Sequence, residues 1–134
     1  MIVGVGVDLV EIARIRALLE RYGERFLTRI FLPEEIAYVR TLSDPAPALA
    51  ARFAAKEAFI KAYPGRARLS WVGVIRREKP KLIFREPLAS EVQTQGLTPW
   101  VSLSHERGHA VAVVVLEATD PLSSPSQGSS GSSP

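Results

Sequence analysis

The stretch Arg52-Phe53-Ala54-Ala55-Lys56-Glu57-Ala58-Phe59-Ile60-Lys61 lies in a run from Ala48 to Tyr63 without Gly or Pro. Ala is the best helix former and Gly and Pro the worst, so the run predicts one long helix. On that helix Glu57 and Lys61 stand one turn apart on one face, which also carries Phe53. A carboxylate and an amine so placed have two readings. One is an exposed i,i+4 ion pair, worth a few tenths of a kcal/mol. The other is that Glu57 holds a metal ion and Lys61 meets a phosphate.

The remaining segments arrange themselves around this helix. Residues 2–8 read as a strand, with Gly4 and Gly6 on one face where another backbone can approach closely. Glu11 to Tyr22 reads as an amphipathic helix with an apolar stripe of Ile12, Ile15, Leu18, Leu19 and Tyr22, stopped by Gly23. A further helix starts at Pro33-Glu34-Glu35 and runs to about Leu42. The stretch Ser43-Asp44-Pro45-Ala46-Pro47 breaks it. After the Ala-rich helix, Trp71 to Arg76 and Lys81 to Arg85 form a hairpin. Pro87 to Gln95 is a short helix closed by Gly96. Trp100 to Ser104 and Ala110 to Glu117 are the last strands. The expected class is α+β, with an antiparallel sheet packed against helices in a ferredoxin-like split βαβ pattern.

At 134 residues the chain is expected to form one domain, residues 1–118. Residues 119–134 are rich in Ser, Pro and Gly and are expected to stay unstructured. A net charge of +3 points to an acidic or phosphorylated partner rather than specifically to nucleic acid. No apolar run approaches the roughly 20 residues of a membrane helix, and the Gly-interrupted start lacks a basic leader region. The expected location is the cytoplasm. There is no Cys, so thiolate and disulfide chemistry are out.

Asp8 closes an apolar strand after Val3, Val5 and Val7. It can cap the helix that follows. Alternatively, Asp8 and Glu57 converge on a hard cation such as Mg2+, which takes one or two carboxylates plus waters and substrate phosphates. Ser104-His105 does not suggest a hydrolase, because adjacent strand residues point to opposite faces and no Gly-x-Ser-x-Gly elbow exists. His105 suits a structural hydrogen bond or a phosphate contact. Gly65, near Arg66 and Arg68, makes a loop able to meet phosphate. Arg14, Arg21 and Arg25 fall within about 40° of one another if the first helix continues that far. They are either a solvated face or a basic ridge for an acidic partner.

Gly4-Val5-Gly6-Val7-Asp8-Leu9-Val10-Glu11-Ile12-Ala13-Arg14-Ile15, with Arg52 to Ala62 and Val101-Ser102-Leu103-Ser104-His105, closely resembles the 4′-phosphopantetheinyl transferase superfamily. The match in motifs, order and spacing is to its small bacterial branch, the holo-acyl-carrier-protein synthases. The resemblance implies that Asp8 and Glu57 bind Mg2+ beside the pyrophosphate of coenzyme A, with Lys61 near the transferred phosphoryl group. It places Arg52, Lys56 and His105 near the nucleotide half of coenzyme A. It puts Arg14 and Arg21 on the helix that meets apo-acyl carrier protein, and it implies a homotrimer with active sites between subunits. Two places depart from the pattern: the short segment from Tyr63 to Ser70, and Glu78 where the family carries Gly before Lys-Pro. Two other classes compete. An RNA-recognition domain would need paired aromatics on its central strands, where this chain offers Val101, Leu103, Val111, Val113 and Val115. A Mg-dependent nucleotide hydrolase is the third.

Overall fold

The computed structural model describes residues 1–119. The expectation for the Ser-, Pro- and Gly-rich tail concerns residues that, past Thr119, lie outside this range. Thr119 itself belongs to the domain, its N–H and hydroxyl both donating to the Gly96 carbonyl.

Strand β1 (Ile2–Glu11) leads into α1 (Ile12–Tyr22), α2 (Glu24–Ile30), α3 (Pro33–Val39) and α4 (Ala46–Ala62). A 3-10 turn at Leu69–Trp71 precedes the hairpin β2 (Val72–Arg76) and β3 (Pro80–Phe84). Helix α5 (Leu88–Thr94) and strands β4 (Leu97–His105) and β5 (His109–Ala118) complete the domain. All strand pairs are antiparallel, in a three-stranded ladder β1-β5-β4 and a separate pair β2-β3. The α+β class is as expected, but the strands form two ladders rather than one sheet. Edge strand β4 carries Pro99, which has no N–H to give a further neighbour.

Helix α4 is the hub. Twelve of the seventeen residues from Ala46 to Ala62 are buried, so most of the helix is enclosed by the rest of the domain. Its Ala residues let β1 lie directly on it. A Cβ added to Gly6 would sit 1.9 Å from the Ala58 carbonyl oxygen, and one added to Gly4 would sit 2.0 Å from that of Ala62. The expected close backbone approach is therefore met by α4. Phe59 fills the space below, its ring packed 5.2 Å from Tyr63 and 5.0 Å from Phe84.

Two local expectations are corrected. Strand β1 continues to Glu11, so Asp8 caps nothing; α1 starts without a side-chain cap, the Ile12 N–H donating to the Gly108 carbonyl. Gly23, at φ 53°, stops α1 as expected, but a second helix starts at once. Arg25 consequently lies on α2 and does not extend the ridge of Arg14 and Arg21.

Candidate active site

Strand alternation assigns Asp8 its direction. Gly4, Gly6, Asp8 and Val10 share the face turned to α4, while Val3, Val5, Val7 and Leu9 point away. Side chains of a helix tilt toward its N-terminus, so Lys61 in the last turn of α4 leans back along the helix to β1. Its amine donates to the Asp8 carboxylate and to the Val7 carbonyl, each at 3.0 Å. The Glu57–Lys61 ion pair read from the helix spacing does not form; Lys61 pairs with Asp8 instead. Glu57, one turn earlier and half-buried, has no ion-pair partner among the described residues.

No group of three or more His, Cys, Asp or Glu side chains able to hold a metal occurs among the described residues. Any cation here has two carboxylates at most, Asp8 and Glu57. That donor set is wrong for zinc and fits Mg2+, which completes its shell with waters and substrate phosphate oxygens.

A second cluster lies at the opposite end of α4. Arg52 and His105 line one pocket with Tyr38, Ser104 and Arg76. The register explains His105: it pairs with buried Ala110, on the face turned to α4, while neighbouring Ser104 takes the other face. Arg52 is only 3% exposed, its guanidinium 4.6 Å from the Tyr38 ring centre. Burial pushes its proton affinity below the ordinary value, with nearby Arg76 adding to the effect and Glu35 and Tyr38 opposing it. Neither Arg76 nor Tyr38 stood out in the sequence. Arg76 is exposed at the end of β2 and reaches the rim of this pocket.

Lys56 is a correction. It is fully buried, so it cannot touch a nucleotide. Its amine donates to Glu35 at 2.5 Å and also to the Val72 carbonyl, and sits 5.1 Å from the Phe31 ring centre. Glu35 in turn accepts the N–H groups of Leu32 at 2.9 Å and Val74 at 3.0 Å. This buried pair ties α3 and β2 to α4. Loss of hydration pushes the Lys56 amine down, and its ion pair with Glu35 pulls the other way. Gly65 lies just past α4 beside the Tyr63 ring, where a Cβ would fall 2.9 Å from a ring carbon.

On the outer surface, Arg14 and Arg21 are exposed on α1 and Arg25 on α2. Arg14 lies 6.0 Å from the Phe53 ring centre, and none of the three arginines has a carboxylate partner among the described residues. Nearby Arg16 and Arg40 are paired, with Asp44 and Glu24.

Asp8 and Lys61 meet where β1 crosses α4, and a basic pocket without carboxylates lies along the same helix of this α+β domain. Residues 4–114 match the 4′-phosphopantetheinyl transferase superfamily, and the chain belongs to that family. It is 51% identical over 121 residues to a holo-[acyl-carrier-protein] synthase of Thermus thermophilus, covering 88% of this chain and 95% of the relative. A holo-[acyl-carrier-protein] synthase of Deinococcus radiodurans is 46% identical, with 93% and 100% of the two chains covered. Among solved structures, the holo-[acyl-carrier-protein] synthase of Neisseria meningitidis superposes with a TM-score of 0.78 at 34% identity, covering 87% of this chain and 99% of that one. The Bacillus anthracis enzyme, in complex with coenzyme A (3′,5′-ADP), gives 0.74 at 31% identity, with 89% and 99% covered.

Proposed function

We propose that this chain transfers the 4′-phosphopantetheine group from coenzyme A to a serine of apo-acyl carrier protein, releasing adenosine 3′,5′-bisphosphate. The observation that carries this reading is the meeting of Asp8 and Lys61 across β1 and α4, with Glu57 one turn away. In the reaction the serine oxygen bonds to the phosphorus attached to pantetheine, and the bond from that phosphorus to the bridging oxygen breaks. The serine proton passes to Glu57 directly or through water. Lys61 stabilises charge gathering on the pyrophosphate oxygens. Such transfers depend mainly on positioning and charge neutralisation, which rigid elements supply. Mg2+ would be held by Asp8 and Glu57 and would neutralise the pyrophosphate. Arg52 and His105 would take the nucleotide half of coenzyme A, and Gly65 would pass close to its phosphates.

The outer face of the β1-β5-β4 ladder supports a homotrimer with sites between subunits. Val5 and Leu9 are 56% and 65% exposed, and Val5 shares a cross-strand row with Val115 and exposed Trp100. A continuous apolar row on a sheet face suits burial against another copy. No helix among the described residues is long and apolar enough to cross a membrane. We place the activity in the cytoplasm, in fatty-acid and lipid synthesis.

The test is to incubate the protein with coenzyme A, Mg2+ and apo-carrier and to weigh the carrier by mass spectrometry. A mass gain equal to the phosphopantetheine group is expected. Asp8→Ala and Glu57→Gln should each abolish it while circular dichroism stays native. Full transfer by either variant would sink the assignment of the carboxylates.

A further inference from the structure

Helix α4 ends without the glycine that closes many helices in the left-handed region. The residue after Ala62 is Tyr63, in extended backbone at φ −79° and ψ 130°. Its N–H donates to the Phe59 carbonyl at 2.8 Å. Helix ends fray, and this last turn carries Lys61. The Tyr63 side chain supplies the closure instead. It is 5% exposed, its ring nearly parallel to that of Phe59 one turn earlier. The hydroxyl donates to the Glu91 carboxylate at 2.7 Å and accepts the Gln95 side-chain amide N–H at 3.1 Å. Glu91 and Gln95 stand one turn apart at the C-terminal end of α5. That helix is itself fixed, because Leu88 and Val92 are buried. Burial and the bond to Glu91 push the phenol above its ordinary range, with Gln95 pulling the other way, so the hydroxyl keeps its proton and donates. The transfer chemistry uses none of these three polar groups.

We propose that Tyr63 is a positioning residue for phosphoryl transfer: bonded to Glu91 and Gln95, it pins the last turn of α4 to α5 and so holds Lys61 at the reacting phosphates. The assignment rests on the reading of coenzyme A as the substrate. Lys61 leans back from this turn to reach Asp8 and the Val7 carbonyl. Its side chain is 55% exposed, so its aim is set less by packing around the amine than by the backbone that carries it. The Ala62 carbonyl already rests against Gly4 of β1. The end of α4 is thus held by two contacts, backbone on β1 and a hydroxyl on α5. Loss of the hydroxyl leaves the turn folded and widens the positions Lys61 samples. Lys61 answers charge that develops in the transition state, so the cost falls on turnover rather than on binding.

The experiment uses Tyr63→Phe, which removes one oxygen and keeps the ring stack. Carrier modification gives kcat and the KM for coenzyme A, and residue-resolved amide hydrogen exchange gives local opening. The rate kcat should fall about tenfold, the scale of one lost bond to a charged group, with KM within about twofold of wild type. Exchange at the Lys61 and Ala62 amides should quicken while exchange in β5 stays as in wild type. Glu91→Gln, whose amide oxygen still accepts from the hydroxyl, should keep most of the rate, and Glu91→Leu should match Tyr63→Phe. Adding Tyr63→Phe to Lys61→Ala, read in single turnovers with enzyme in excess, should change little, because the side chain being aimed is gone. A native kcat in Tyr63→Phe overturns the proposal. So does an equal fall in rate with and without Lys61, which would make Tyr63 a support for the fold alone. If wild type leaves the carrier unmodified, the coenzyme A reading itself falls and the proposal with it.

Discussion

Replacing Gly6 by Ala tests the contact that holds the site together. The new Cβ would lie 1.9 Å from the Ala58 carbonyl oxygen, where ordinary contact begins near 3.4 Å. Strand and helix must separate locally by about 1.5 Å, and the obstacle is backbone, so no rotamer change relieves it. Overpacking of this kind costs about 1–3 kcal/mol, and a rigid backbone obstacle points to the upper end. For a domain of this size that is a fall in Tm of roughly 10 °C or more. Activity should fall further than stability. Asp8 is two residues along the same face and meets Lys61 at 3.0 Å, and displacement of about 1 Å can cost a hundredfold in rate. The assays are thermal melts and carrier modification at a temperature where the variant is folded. Gly108→Ala is the control, since nothing lies within 4 Å of its added Cβ. A Gly6→Ala protein with native Tm and native kcat would refute the close packing of β1 on α4.

Two further outcomes follow from other parts of the molecule. Lys56→Met leaves Glu35 buried without its cation and should cost about 3–5 kcal/mol in urea unfolding, with Glu35→Gln added to it restoring part of the loss; a Lys56→Met protein of native stability that fails only in coenzyme A binding would return Lys56 to the nucleotide site. Arg14→Glu with Arg21→Glu should raise KM for the acidic carrier while leaving coenzyme A affinity unchanged, and the wild-type KM should climb with salt; a double variant with normal carrier KM at low salt would make those arginines a solvated face.

The sequence was most informative where an element obeys one local rule. The Ala-rich helix, the stop at Gly23 and the alternation of β1 each follow from residues within a few positions. The split of Ser104 and His105 onto opposite faces follows from the same alternation. What stayed hidden depends on pairing between distant segments. Lys56 looks like any basic residue on a helix until Glu35, 21 positions earlier, is seen to enclose it. The partner of Lys61 is similarly set by β1, 53 positions away, rather than by Glu57 on its own helix. Helix α2 was missed because seven residues starting directly after a stop give too little periodicity to register. That exposed Arg76 reaches the rim of the pocket beside Arg52 depends on where β2 lies relative to α4, a pairing of distant segments.

The two faces of β1 also limit how its gene can change length. Inserting or deleting one codon inside residues 2–11 would exchange the faces, sending Asp8 outward and driving a valine against the carbonyls of α4. Both the carboxylate and the close packing would be lost in a single event. The exposed hairpin tip at Arg77, Glu78 and Lys79 carries no such coupling and can absorb added residues. Length polymorphism in this lineage should therefore collect at that tip, while β1 changes only by substitution.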